Sequence, residues 1–326
     1  MKSKAAKIAL RVGIIIVCSV LALLALVYVG EKLFFARFFM NADREFKIPG
    51  LSEGYVPQGF DYVKEKEAYL ACGYMKDKSA SRIYMMNEDG KVIYQADMKK
   101  ADGSDYKGHT GGIAYYGNYL YISGGDGCDM FLLSDLMDGD GKVTMIGEVK
   151  TGNNPAYCKV IGGKLYAGAF YHTKGGYDTP AEHQITTPAG DKNMAILTVF
   201  TLDPLTGRAI SDTPDVIYST TAKVQGMNMT ETGKILLTTS YGLSTSHLYV
   251  HNPALSTVGE FDFNGTKVPL IYLDSATLVE DVRMPAMAEE IVYMDGDVYV
   301  MNESACAKYK FGNLTSGRRV WAYELD

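Results

Sequence analysis

One phrase occurs five times between residues 57 and 304, and no other feature limits the possible folds as much. The copies are PQGFDYVKEKEAYLACGY from Pro57, HTGGIAYYGNYLYISGG from His109, NPAYCKVIGGKLYAGAFY from Asn154, VQGMNMTETGKILLTTSYG from Val224 and MAEEIVYMDGDVYVMNES from Met287. Each opens on small or polar residues, runs as a short strand, turns, and continues as a second strand. The turns are Gly117-Asn118, Gly162-Gly163, Glu231-Thr232-Gly233 and Asp295-Gly296, with Lys64-Glu65-Lys66-Glu67 in that place in the first copy. Steps of this length between strand-forming runs make hairpins. A third strand can be read after each hairpin, as SRIYMMN, DMFLLSD, AILTVFTLD, SHLYVHN and CAKYKFG. A fourth follows as KVIYQADM, VTMIGEV, DVIYST, VGEFDF and RRVWAYEL.

Four antiparallel strands recurring every 45–70 residues are the pattern of propeller blades. The expected fold is therefore all-β, a β-propeller of five blades, with a β-sandwich as the competing architecture. A sixth blade would have to lie in residues 173–194 or 265–286. The first of these is polar and rich in turn residues, and reads as a long loop inside the third blade; loops of that length are often lids or binding loops. The second contains VPLIYLDSATLV, a possible strand pair. Composition agrees with strands and tight turns: 34 Gly and 24 Tyr, with many Val, Ile and Thr. Small residues at the starts of the first strands (Gly59, Gly111, Gly112, Ala156, Gly226) suit a crowded propeller axis.

The amino terminus is of another kind. Residues 12–30 carry no charge and, as a helix, span about 28 Å, close to the thickness of a bilayer core. Lys2, Lys4, Lys7 and Arg11 precede the run, and Tyr28, Phe34, Phe35, Phe38 and Phe39 follow as an interfacial belt. The run is longer than a signal-peptide core and no small-x-small cleavage context follows it. A lipoprotein reading through Cys18 fails, because Ile15-Ile16-Val17 lacks the small residue before the cysteine. The expected organisation is a cytoplasmic tail (1–11), a transmembrane anchor (12–30) in contact with membrane lipid, a juxtamembrane linker (31–54) and the propeller (55–326). A short tail with a free amine places the body outside the cell, as a single-pass protein.

The first forty residues carry +5, which leaves −11 for the rest of a chain whose net charge is −6. An acidic body is a poor partner for nucleic acid, which needs a basic face. The five cysteines (Cys18, Cys72, Cys128, Cys158, Cys306) form no CxxC and no zinc-ribbon spacing. Walker, Rossmann and GxSxG patterns are missing. MDGDGKV, residues 137–143, lacks the third acid and the terminal Glu of an EF-hand loop and reads as a turn.

In a propeller, equivalent positions converge at the channel mouth. Those just before or at the start of the first strands are Gln58, His109, Asn154, Gln225, Glu289 and Glu290. Convergent polar groups at one concave mouth form the default ligand-site candidate; the competing role is to tie neighbouring blades. Ends of second strands add Tyr241 and the pair Asn302 and Glu303. With Glu289 and Asn154, these last two make an oxygen-rich corner suited to Ca²⁺ or another divalent cation, against the simpler reading of a solvated turn. His109 is the candidate general base if the site is catalytic. Glu289 and Glu290, adjacent on one strand, point to opposite faces, which argues against a two-carboxylate glycosidase.

The run PQGF, HTGGIAYYGNYLYIS, VQGM, TTSYG and MPAMAEEIVYMDGDVYVMNES resembles a group of bacterial secreted or membrane-anchored β-propeller proteins without assigned activity, over about residues 55–325. This chain departs from that group at Glu290, where Gly is usual, and at Asn302, where Phe is usual. A more distant likeness is to propeller lactonases of the gluconolactonase type, whose metal is held by Glu and Asn at the channel; only Glu289 and Asn154 match. Two readings follow. One is an extracellular binding module whose mouth takes a glycan, peptide or protein ligand. The other is a metal-assisted hydrolase, lactonase- or esterase-like, using Glu289, Asn154 and His109.

Overall fold

The computed structural model describes residues 4–174, 176–309, 312 and 317–325. The body is a five-bladed propeller. The innermost strands are Tyr55–Val63, Ile113–Tyr116, Pro155–Ile161, Val224–Met229 and Ala288–Met294, one per blade, and each hairpin foreseen in the sequence is formed. A hydrophobic layer separates each blade from the next. Leu70, Ile83 and Met85 of blade 1 meet Ile113, Ile122 and Phe131 of blade 2, and Phe60 and Tyr69 meet Val292, Met301 and Val320 of blade 5. Each sheet thus buries both faces against its neighbours, which gives a chain with little helix its core.

The outer strands differ from the sequence reading in four places. VTMIGEV is broken: Lys142–Thr144 joins the outer edge of blade 1 in parallel, and only Gly147–Lys150 completes blade 2. VGEFDF does not finish blade 4. It forms Val258–Phe263, which pairs with Thr266–Tyr272, and that hairpin extends blade 3 through a parallel pairing with Val216–Thr220. Blade 4 is completed instead by Leu278–Met284, so residues 265–286 supply edges to two blades and no sixth blade. Inner strands are held from both sides of the ring, whereas an outer strand needs only a free edge, which several segments can satisfy.

The fourth departure closes the ring. RRVWAYEL holds the third strand of blade 5, Arg319–Glu324, and the fourth is Ala42–Lys47, from the segment expected to be a linker. Of CAKYKFG, Lys310 and Phe311 lie outside the described residues, and Cys306–Lys308 form bends rather than a strand. Blade 5 therefore combines strands from both ends of the propeller.

The helix Lys4–Phe34 is exposed along its length and is long and apolar enough to cross a membrane. It runs into a second short helix, Ala36–Met40. Phe38 is not an interfacial belt residue: it is buried, its ring stacked on Tyr323 with centroids 5.8 Å apart. Arg37 pairs with Glu280 of blade 4, and the Glu324 N–H donates to the Asn41 carbonyl at 2.8 Å. The propeller is thus packed directly onto the foot of the helix.

Candidate ligand site at the channel mouth

The start of an inner strand is where this fold shapes a site. In four blades the ladder between first and second strands slips at this point: at Gln58, at Ala156, at Gln225, and at the pair Glu289 and Glu290. A bulge adds one unpaired residue and re-aims its side chain. In blade 2 Gly111 takes this place, its N–H donating to the Ser123 carbonyl at 3.2 Å while the Gly112 carbonyl accepts from the Ser123 N–H at 3.0 Å; Thr110 before it has φ 55°. The glycines beside these bulges have a packing cause. A Cβ on Gly112 would lie 2.6 Å from the Cys158 nitrogen and from Glu290 Oε1, and one on Gly226 would lie 2.5 Å from the Glu290 Cα. The Gly-Gly of HTGGIAYY is what lets inner strands approach.

Below the mouth, buried polar groups fill the axis. Glu290 Oε2 accepts from the backbone N–H of Phe60 (2.7 Å) and Ile113 (2.8 Å), and Oε1 accepts from that of Cys158 (3.1 Å). One carboxyl group therefore ties blade 5 to blades 1, 2 and 3. Beside it Lys159 of blade 3 donates to Asp61 Oδ1 and to the Phe60 carbonyl, both at 2.9 Å, while Asp61 Oδ2 accepts from the Tyr115 N–H. Burial pushes the Glu290 carboxyl up to about 8, opposed by Lys159 and by its N–H donors.

Above this plug lies a cavity of about 490 Å³. Gln58, His109, Gln225, Tyr241 and Glu303 line it, as does Gly111. Glu289, almost fully buried, accepts from Gln225 Nε2 at 3.3 Å, and Glu303 accepts from Gln58 Nε2 at 3.0 Å. Burial raises both acids. Glu289 is driven well above the usual carboxylate range, with Glu303 and Glu290 adding to the effect. Glu303 rises to about 7 against the pull of Gln58 and Lys308. His109 is pushed down to about 4, by burial first and by Lys308 second.

Other predicted positions lie elsewhere. Glu290 is committed to the blade ties. Asn154 lines a neighbouring groove, and Asn302 is buried at a strand end, paired in register with Ala288. The proposed cation corner of Asn154, Glu289, Asn302 and Glu303 is therefore divided between the mouth, the groove and a strand. Among the described residues no three His, Cys, Asp or Glu side chains are grouped to hold a metal ion.

The wall of the mouth was not foreseen. Tyr74, Phe170, Tyr177, Tyr309, Met287 and Lys308 surround the polar floor. Tyr74 lies beside His109 with ring centroids 5.0 Å apart, and Phe170 meets Tyr177 edge-on at 5.3 Å. A signal existed: second strands end in CGY, GAF and TSY, which bring Tyr74, Phe170 and Tyr241 to the mouth, with Glu303 at the end of that strand in blade 5. Blade 2 ends its second strand in Gly124-Gly125 and leaves a gap in the wall.

No family model and no curated protein matches the chain. Among solved structures it is similar to glutaminyl cyclase from Myxococcus xanthus, at 11% identity over 87% of this chain and 96% of that one, with a TM-score of 0.44. It is also similar to the PQQ-bound form of aldose sugar dehydrogenase from Streptomyces coelicolor, at 11% identity over 86% and 96%, with a TM-score of 0.45. A putative oxidoreductase (glucose dehydrogenase) from Thermus thermophilus matches at 12% identity over 86% and 98%, with a TM-score of 0.43. Likeness at this level assigns no role to any side chain here.

Proposed function

We propose that the protein is a membrane-anchored binding module, held outside the cell, whose channel mouth takes a neutral sugar residue of a glycan. The observation that carries this reading is the pairing of aromatic walls with a floor of buried hydrogen-bonding groups, Gln58, Gln225, His109 and Glu289, that are neutral amides or are kept uncharged by burial. Gln225 and neutral His109 can each donate and accept; Gln58 offers its carbonyl oxygen, since its amide donates to the Pro57 carbonyl and to Glu303; and burial favours the uncharged acid at Glu289. Sugar hydroxyls donate and accept in the same way, and the apolar faces of a pyranose ring pack on aromatic rings. Both the cavity size and its few convergent polar groups suit a small-molecule or end-group site. The metal-assisted hydrolase reading gains nothing from this arrangement, because its donor set is dispersed.

The test is titration calorimetry on the full-length protein in detergent micelles with glucose, galactose, mannose and N-acetylglucosamine. At least one is expected to bind, and Gln225→Ala and Gln58→Ala are each expected to weaken it by about tenfold, the worth of one lost hydrogen bond to a buried partner. Loss of the bonds to Glu303 and Glu289 should lower each thermal midpoint by about 2–6 °C, with the protein still folded at the assay temperature. Absence of binding to the whole panel, or unchanged affinity in both variants, would remove the mouth as a sugar site.

A further inference from the structure

A second cavity of about 280 Å³ opens from the mouth between blades 2 and 3. The two cavities share His109, Gly111, Ala156, Phe170 and Tyr177 in their linings, so they adjoin. The passage lies on the side of blade 2, where the wall residue of the other blades is replaced by Gly124 and Gly125. A Cβ at Gly124 would find its nearest neighbour, Tyr106 Oη, 3.6 Å away, and at Gly125 nothing within 4 Å. Close packing of the protein against itself requires neither glycine. Gly125 serves the turn, at φ 60°, and Gly124 leaves room.

The groove is roofed by residues 176–183, which contribute Tyr177, Asp178, Thr179, Pro180 and His183. Two of its lining side chains are incomplete. Ser123 Oγ and His183 Nδ1 are buried and have no hydrogen-bond partner among the described residues. Ser123 is fully buried and His183 is 6% exposed. A polar atom left without a partner in such a place costs about 1–3 kcal/mol, and such atoms in native proteins call for a missing partner. Asn154, an exposed residue, stands at the same groove.

We infer that the groove between blades 2 and 3 is a second subsite continuous with the mouth, and that the ligand is a linear neutral oligosaccharide entering by its end. This rests on the sugar reading of the mouth and extends it. The buried Glu290 and Lys159 network closes the axis below, so a chain cannot thread the propeller. Its terminal residue sits over the Gln58 and Gln225 floor, and the adjoining residue passes His109 into the groove, where Ser123 and His183 find their partners. The roof, whose Thr179 Oγ1 donates at 2.6 Å to the carbonyl of Met194, the residue before the blade 3 strand Ala195–Thr201, holds the chain in place.

The experiment compares monosaccharides with the disaccharides, trisaccharides and tetrasaccharides of the same gluco, galacto, manno and N-acetylglucosamine series, by calorimetry on the full-length protein in micelles. For the series whose monosaccharide binds, affinity is expected to rise about tenfold or more from one unit to two, then to level off. Gly124→Phe, which places a ring across the gap, is expected to abolish that gain and leave monosaccharide affinity unchanged. Ser123→Ala, which removes an unpartnered hydroxyl and so spares stability, is expected to reduce the gain several-fold. A disaccharide no tighter than its monosaccharide, or a gain that survives in both variants, would overturn the groove while leaving the mouth. Failure of every monosaccharide and oligosaccharide, or capture of peptides by the same mouth in their stead, would overturn both.

Discussion

Replacing Glu290 with alanine is expected to lower the thermal midpoint of the full-length protein by about 10 °C. The side chain supplies the acceptors for three backbone N–H groups, those of Phe60, Ile113 and Cys158, on three different blades. Alanine leaves all three buried donors without partners, at about 1–3 kcal/mol each before relaxation, and a combined cost of about 3–5 kcal/mol follows. For a domain of this size each kcal/mol moves the midpoint by about 2–4 °C. Glu290→Gln keeps one carbonyl oxygen but turns an amide N–H toward a backbone donor, so its loss should be smaller and still measurable. Scanning calorimetry of both variants checks this. A midpoint for Glu290→Ala within about 2 °C of the parent, which is less than one kcal/mol, would show that the carboxyl group is not the tie between blades.

Stability should also fall as pH rises through neutrality, and Glu303 should carry the lower part of that fall. The acids at the axis and mouth have folded-state values raised above the unfolded ones: Glu303 to about 7, Glu290 to about 8, and Glu289 also upward, all chiefly through burial. A raised acid keeps its proton in the folded state after the unfolded chain has released it. Its contribution is therefore fullest below the unfolded value and is lost as pH climbs to the folded one. Buried histidines act in the opposite direction. His109 and His251 are pushed down to about 4 and His183 is also lowered, so acid below the unfolded histidine value favours the unfolded chain. The two slopes oppose each other between about pH 4.5 and 6.5, and above that window only the acids remain.

Glu303→Gln isolates one of them. Relative to the parent, this variant should gain about 2.5 kcal/mol between pH 5 and pH 8: a shift from 4.5 to about 7 is worth about 3.5 kcal/mol in all at about 1.4 kcal/mol per unit, and about a quarter of that is already lost by pH 5. Urea unfolding at both pH values reads the difference directly. Equal stability differences at pH 5 and pH 8 would mean that Glu303 titrates normally in the fold.

Much of this architecture could be read from residues in a line. Alternation of apolar and polar positions with short turns, four of them containing Gly, marked the five inner hairpins. The uncharged run of residues 12–30 gave a helix fit to cross a membrane, because length and apolarity alone set that capacity. The convergence of Gln58, His109, Gln225, Tyr241 and Glu303 also followed, since blades of equal form bring equal positions to one mouth.

Tertiary structure alone decided the rest. Outer strands have one partner and a free edge, so Val258–Phe263 and Lys142–Thr144 could join a neighbouring blade, and Ala42–Lys47 could leave the linker to close blade 5. Bulge geometry separated Glu289 from Glu290, sending one to the mouth and the other to the backbone of three blades, a distinction that two identical residues cannot announce. Whether Gly124-Gly125 is a tight turn or an opening depends on what stands across from it. A sequence records the hairpin; the space left beside it exists only once the ring has closed.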